Sequence, residues 1–235
     1  LQNITTGDNN TAIGRNAGGS LNTGNNNQIL GTFAGDALTG GQNNVAMGFG
    51  ALSAETTGSQ TVAIGHQALL VQEVQGDSYN TAVGFEAGKS ITTGVNNTII
   101  GALAGDALTE GDKNIAIGRD ALKLQNAGAD AYNTAVGYVA GGAITTGYQN
   151  TLVGGIAGDA LTTGASNVAV GYASLSSAQT SNYNTAIGER ALHLNVNSNR
   201  NTALGFQALY SHTTGSATDS YNTAVGYVAG AAITS

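Results

Sequence analysis

The stretch Asn80-Thr81-Ala82-Val83-Gly84-Phe85-Glu86-Ala87-Gly88 decides the reading of this chain, because it recurs from one end to the other. It returns as Asn133-Thr134-Ala135-Val136-Gly137-Tyr138-Val139-Ala140-Gly141. Copies of its first five residues end at Gly14, Gly31, Gly48, Gly65, Gly84, Gly101, Gly118, Gly137, Gly154, Gly171, Gly188, Gly205 and Gly226. The step is about 17 residues, stretched to about 19 before Gly84 and Gly137 and to about 21 before Gly226. A fixed short period along a whole chain marks a repeat architecture, in which each unit buries its apolar face only by stacking on neighbours.

Each column of the repeat has its own chemistry, counted from the anchor glycine. Four residues before it stands Asn: Asn10, Asn27, Asn44, Asn80, Asn97, Asn114, Asn133, Asn150, Asn167, Asn184, Asn201 and Asn222, with Thr61 the one exception. One before it is an aliphatic side chain (Ile13, Leu30, Met47, Ile64, Val83, Ile100), and three before it is usually Thr or Val (Thr11, Val45, Val62, Thr81). Two before it is usually Ala, and three after it is Ala again, with Ser174 departing. Successive side chains of a strand face opposite ways, so the aliphatic and Thr/Val columns share one face and the Ala column takes the other. The aliphatic columns are expected inside. The Ala column, joined by Ile29, Ile99 and Leu152, would suit a contact with another chain, or would fill a tight coil interior.

Short β-branched runs bounded by Gly and Asn read as strands and turns. A second short strand is expected just after the anchor, around Phe85–Gly88 or Tyr138–Gly141. Helix fails because no stretch holds a 3.6-residue period without a glycine interruption, and each mid-helix glycine costs about 1 kcal/mol. The expected fold is all-β: a parallel β-solenoid of about 17 residues per coil and about thirteen coils. At about 4.8 Å per coil it makes a rod roughly 60 Å long. Stacked asparagines become a ladder bonding the coils above and below, and the longer steps bulge as loops from one corner. Residues 1–235 read as a single repetitive segment. The chain opens at Ile4-Thr5-Thr6-Gly7 and closes at Ile233-Thr234-Ser235, both in the middle of a larger unit. Neither end carries the atypical polar cap a solenoid needs, so a piece of a longer fibre is expected.

Composition excludes several classes. The chain has 36 Gly, no Pro, Cys or Trp, and a net charge of −7 from 7 basic and 14 acidic residues. Without cysteine there is no disulfide framework or thiolate metal site. Without proline or a strict third-position glycine there is no collagen. A 41% apolar share argues against disorder, and the acidic balance without a Lys/Arg cluster argues against nucleic acid. No apolar run is long enough to insert into a membrane. The start shows no charged region followed by an apolar one of the signal-peptide kind.

The phrases Asn-Thr-Ala-Ile-Gly at Asn10–Gly14, Asn-Thr-Ala-Val-Gly at Asn80–Gly84 and Asn-Val-Ala-Val-Gly at Asn167–Gly171, repeated in register, resemble the head repeats of trimeric autotransporter adhesins (YadA-like). They are also similar to repetitive shafts of phage tail fibres. The resemblance implies a left-handed parallel β-roll and a homotrimer. It also implies an extracellular place on a cell surface or virion tail fibre, and a host or cell-surface receptor, possibly a glycan, as partner. The family's head repeat is shorter, which implies a larger cross-section here. The small apolar share of each coil gives trimerisation independent weight, since a thin coil buries little area against its backbone entropy.

Nothing in the sequence assembles a catalytic site or calls for a cofactor. His66, His193 and His212 stand in unrelated columns, so no metal centre is expected. Asp36, Asp106 and Asp159 recur in Gly-Asp-Ala-Leu and read as turn caps rather than calcium ligands, which need a denser acidic motif. No Ser/His/Asp grouping or phosphate loop appears. Tyr79, Tyr132, Tyr183 and Tyr221 directly precede the Asn column. They could anchor a receptor, or pack under the longer loops. The expected function is a non-enzymatic structural or adhesive surface fibre. Two alternatives stand beside it: a monomeric solenoid binding ice or a carbohydrate on a flat face, and a depolymerising glycosidase of the tailspike type. Threonine pairs such as Thr56-Thr57, Thr92-Thr93 and Thr213-Thr214 run into glycine and suggest turns rather than a continuous ladder.

Overall fold

Each copy of the five-residue phrase folds as one short strand. In the computed structural model, which describes residues 3–128, 130–212 and 218–233, thirteen strands of three residues, from Thr11–Ile13 to Thr223–Val225, form one parallel sheet in chain order. Thr213-Thr214 and Thr234-Ser235 lie outside the described residues. Among the described residues there is no helix. The fold is a parallel β-solenoid.

Like columns stack on like. Ala12 pairs with Ile29 and Ile13 with Leu30, and the register holds across the lengthened steps, where Val62 meets Thr81 and Thr202 meets Thr223. The extra residues therefore leave the sheet undisturbed. They gather at one corner, where Ser59 bridges Asp77 and Ser198–Asn199 pairs with Thr218–Asp219.

The expected second strand is absent. Phe85–Gly88 and Tyr138–Gly141 are turns, with Glu86 at φ 52°, Gly88 at 58°, Val139 at 55° and Gly141 at 58°. Two left-handed residues so close together bend the chain around the coil, which an extended segment cannot do. The anchor glycines are sterically fixed as well. Gly84 sits at φ 142°, and a Cβ there would lie 2.7 Å from the Gly101 carbonyl in the next coil.

The strand faces are the reverse of the expected ones. The Ala column two before the anchor points inward, and Ala46, Ala82, Ile99 and Leu152 are fully buried. The aliphatic column one before the anchor points outward, with Ile13 61%, Leu30 41% and Leu204 44% exposed. The asparagine sets this parity. It stands two residues from the Ala position, hence on the same side, and its amide must lie inside to reach its partners. Asn27 Nδ2 donates to Gly41 O at 2.8 Å, and the Asn44 backbone N–H donates to Asn27 Oδ1 at 3.0 Å. Asn97, Asn133, Asn150 and Asn167 repeat the pattern.

The core alternates between two kinds of coil. Where Gly stands four after the anchor (Gly35, Gly88, Gly105, Gly141, Gly158), a large Leu or Ile stands seven after it (Leu38, Ile91, Leu108, Ile144, Leu161). Where Leu stands four after (Leu52, Leu69, Leu122, Leu175, Leu192, Leu209), the residue seven after is Glu55, Gln72, Gln125, Ala178, Asn195 or His212. Ile29, Ile99 and Leu152 fill the only strands flanked by glycine at that position in both their own coil and the next. Ile99 Cδ1 would lie 3.1 Å from a Cβ on Gly105, and Leu152 Cδ2 2.9 Å from one on Gly158. Interiors packed like crystals need such exchange of volume.

Candidate functional surface

The outer sheet face carries two side-chain columns over thirteen strands, and no Asp, Glu, Lys or Arg stands in any of its strands or in the position just before them. One column is aliphatic throughout. The other is mostly Thr and Val, with Gln28 and Ile115 as the exceptions. At the first coils, Thr11, Ile13, Gln28, Leu30, Val45 and Met47 surround a shallow apolar depression of about 350 Å³. Sequence reasoning found these residues but assigned them to the interior. The inward need of the asparagine amide, visible in the same phrase, was the signal that could have placed them outside.

Just past the anchor bend a column rich in exposed aromatics runs beside this face. Phe49, His66 and Phe85 stack with centroids 5.4 and 5.2 Å apart and planes 14° and 13° from parallel. Phe206 and Tyr227 stack at 5.3 Å. Ring faces cover one another, so mainly edges meet the solvent.

Tyr79, Tyr132, Tyr183 and Tyr221 line the corner that holds the loops, all in left-handed conformation and all about half exposed or more. None is buried under its loop. Tyr79 and Tyr221 donate their hydroxyls to Asp77 and Asp219, each at 3.1 Å. Lys113 pairs with Asp130, donates to the Tyr132 hydroxyl at 3.1 Å and lies 5.0 Å from its ring centre. Arg200 bonds Asp219 at 2.9 Å, its guanidinium 4.7 Å from the Tyr183 ring and 5.9 Å from that of Tyr221. Hydrogen bonds that Lys113 donates to Asp130 and then to Tyr132 raise its pKa above its ordinary value. The Asp219 bond does the same for Arg200. Partial desolvation opposes ionisation of Asp219, but bonds from Arg200, Asn199 and Tyr221 outweigh it and hold its pKa below the usual range. The cations thus occupy ring faces that a ligand would need.

The structure does bring one serine and one histidine together. Asp159, Ser176 and His193 stand in successive coils of one column, five residues after their anchors. Ser176 Oγ lies 2.6 Å from His193 Nδ1, which also lies 3.1 Å from the Ala173 carbonyl. A carbonyl only accepts, so Nδ1 carries the proton and cannot serve as base for the serine. Serine stands between the other two, whereas a hydrolytic triad places histidine in the middle. Burial, the dominant cause, raises the pKa of Asp159 and of Asp106, the latter against the pull of Lys89. One oxygen each of Asp36 and Asp159 is buried without a hydrogen-bond partner among the described residues. Among those residues no group of three or more His, Cys, Asp or Glu could hold a metal ion. Among the described residues no helix is long and apolar enough to cross a membrane.

The threonines eight after the anchor do more than turn. Thr39, Thr92, Thr145 and Thr162 donate their hydroxyls to carbonyls of the following coil at 3.0 to 3.2 Å. The column is broken by Asn22, Glu73, Asn126, Gln179 and Val196.

No protein-family model, no curated protein and no solved structure matches the chain.

Proposed function

We propose that this chain is a structural and adhesive fibre segment of a cell or virion surface, in which three copies pack through the charge-free sheet face. One observation carries the reading: an outward aliphatic column, thirteen strands long, flanked by a column without charge. Contiguous apolar surface beyond a few hundred Å² marks an interaction site, and burying it yields about 25 cal/mol per Å². Each coil presents two adjoining strips, the strand face and the aromatic column past the glycine bend. A cyclic trimer seats one strip against the other on the next chain and closes. The left-handed winding and the receptor belong to the same proposal and rest on the repeat's resemblance to adhesin heads. The face also offers the second reading a place, since eight of its thirteen Thr/Val positions are Thr, a surface on which a lone chain could order water or a sugar.

Light scattering with small-angle X-ray scattering tests the proposal. A rod with three times the 23.3 kDa chain mass supports it. A folded single chain of 23.3 kDa overturns it and directs the next assay to ice and glycans.

A further inference from the structure

A solenoid of near-identical coils faces a folding hazard: the stack can close with one coil left out, because every Asn, Ala and aliphatic column then still meets its like. We infer that the buried polar residues seven after the anchor are register determinants that exclude such skipped stacks. These are Glu55, Gln72, Gln125, Asn195 and His212, all within 1% of full burial.

Their distribution makes the case. All three lengthened coils carry one: Gln72 after Gly65, Gln125 after Gly118 and His212 after Gly205. The other two, Glu55 and Asn195, stand in coils directly before a lengthened one. Everywhere else the position is Leu, Ile or Ala. Polar interiors therefore sit where omission of a coil would also discard a loop.

Four of them, Glu55, Gln72, Gln125 and His212, bond a neighbouring coil as well as their own, whereas the Asn195 amide bonds Ser198 within its own coil. Glu55 Oε1 accepts three backbone N–H groups, from Thr56, Thr57 and Gly58, at 2.7 to 3.2 Å. Its Oε2 accepts from Gln72 Nε2 at 3.1 Å and from the Val74 N–H at 2.9 Å. Gln72 Oε1 in turn accepts from Asn80 Nδ2 at 2.9 Å, and Gln72 Nε2 also reaches Thr61 Oγ1 at 3.1 Å. Thr61 is where the Asn column is interrupted, so the ladder's missing amide is replaced by this network. Gln125 Nε2 donates to Asn114 Oδ1 at 3.1 Å. His212 Nε2 accepts from Asn222 Nδ2 at 3.1 Å. If the coil after Gly65 were skipped, Glu55 would stack on Ile91 and lose both partners of Oε2. A buried carboxylate left half-satisfied is heavily penalised, whereas Leu on Ile would not be. Buried polar groups that fix register are the best-attested use of such groups.

The test uses the absence of cysteine. Ser53 and Lys89 stand in one column, two coils apart, about 9.6 Å at 4.8 Å per coil and beyond disulfide reach, but become neighbours if the coil after Gly65 is omitted. Full-length chain carrying Ser53→Cys and Lys89→Cys is unfolded, refolded under oxidising conditions, and scored for intrachain disulfide by mass. Adding Glu55→Ala and Gln72→Ala copies the natural Leu175/Ala178 coil, so it removes the polar layer without overpacking. The cross-linked fraction is expected to rise about tenfold, the discrimination of one buried polar interaction. An equal fraction with and without the polar layer overturns the inference. Gln125→Ala with the reporter pair Ala102→Cys and Tyr138→Cys repeats the test at the second lengthened coil and decides the matter if the first variant does not fold. Failure of both to fold assigns the residues to coil stability instead and overturns it too.

Discussion

At the scale of single residues, an interior of alanine leaves room for one large side chain only where a neighbour gives it up. Leu152 fits because Gly141 and Gly158 lack side chains, where a Cβ would lie 2.8 and 2.9 Å from its Cδ atoms. Ala116 lies in the strand just before the Leu122 coil and has no such space. Ala116→Leu should therefore cost about 1–3 kcal/mol, read as a lower denaturant midpoint. Adding Leu122→Gly should recover part of that loss, because Leu122 sits at φ 48° where glycine is unstrained. An additive double mutant would refute the volume exchange. Acidity offers a second residue-level prediction. Burial raises the pKa values of Asp106 and Asp159 above 3.8 in the folded chain, so the folded state binds protons more tightly than the unfolded one. Their contribution is complete below that value and is lost as pH rises through the folded values. Asp219 is shifted the other way, so its contribution holds above 3.8 and is lost as pH falls. Asp159→Asn should thus raise the melting temperature at pH 7 and weaken the gain on acidification. A drop at pH 7 would contradict it.

The element here is the coil, and most of its bonds run to the coils on either side rather than within itself. Asn97 takes the Asn114 N–H on its Oδ1 and gives its Nδ2 to Gly111 O. Asn97→Ala leaves both buried groups unpaired, at about 1–3 kcal/mol for each, and hydrogen exchange should quicken at Asn114 ahead of distant coils. Uniform quickening would argue against a stack of nearest-neighbour units. The strand face answers differently. Ile117 lies on the outer face, so Ile117→Asp should leave the circular dichroism and melting of an isolated chain nearly unchanged, while Ala116→Asp should unfold the coil. Much of this was legible in the sequence: the strand, its anchor glycine, the asparagine and the corner for the loops all follow from one phrase. The facing of Ile117 was not, because alternation fixes which residues share a side and says nothing of which side is inward.

For the whole molecule, the charge pattern separates one face from all others. The 7 basic and 14 acidic side chains all lie off the sheet face, and a bare apolar sheet of that length invites another chain. In the proposed trimer, Ile100→Glu together with Ile117→Glu should convert the three-chain rod into single chains of unchanged secondary structure. A trimer that persists would move the interface elsewhere. The tyrosine corner is different in kind, since Lys113 and Arg200 already cover the rings of Tyr132, Tyr183 and Tyr221. The sequence by itself determined the period, the strand, the parallel stacking and the absence of disulfides, because a repeat can satisfy each column only by laying it on its copy. Only the tertiary structure decided which face is buried, that glycine and leucine trade places across the core, and that Glu55, Gln72, Gln125, Asn195 and His212 lie inside along with the asparagines. Those outcomes depend on the volume enclosed by a closed coil and on where an asparagine amide finds its partners, and neither exists until the chain has turned its corners.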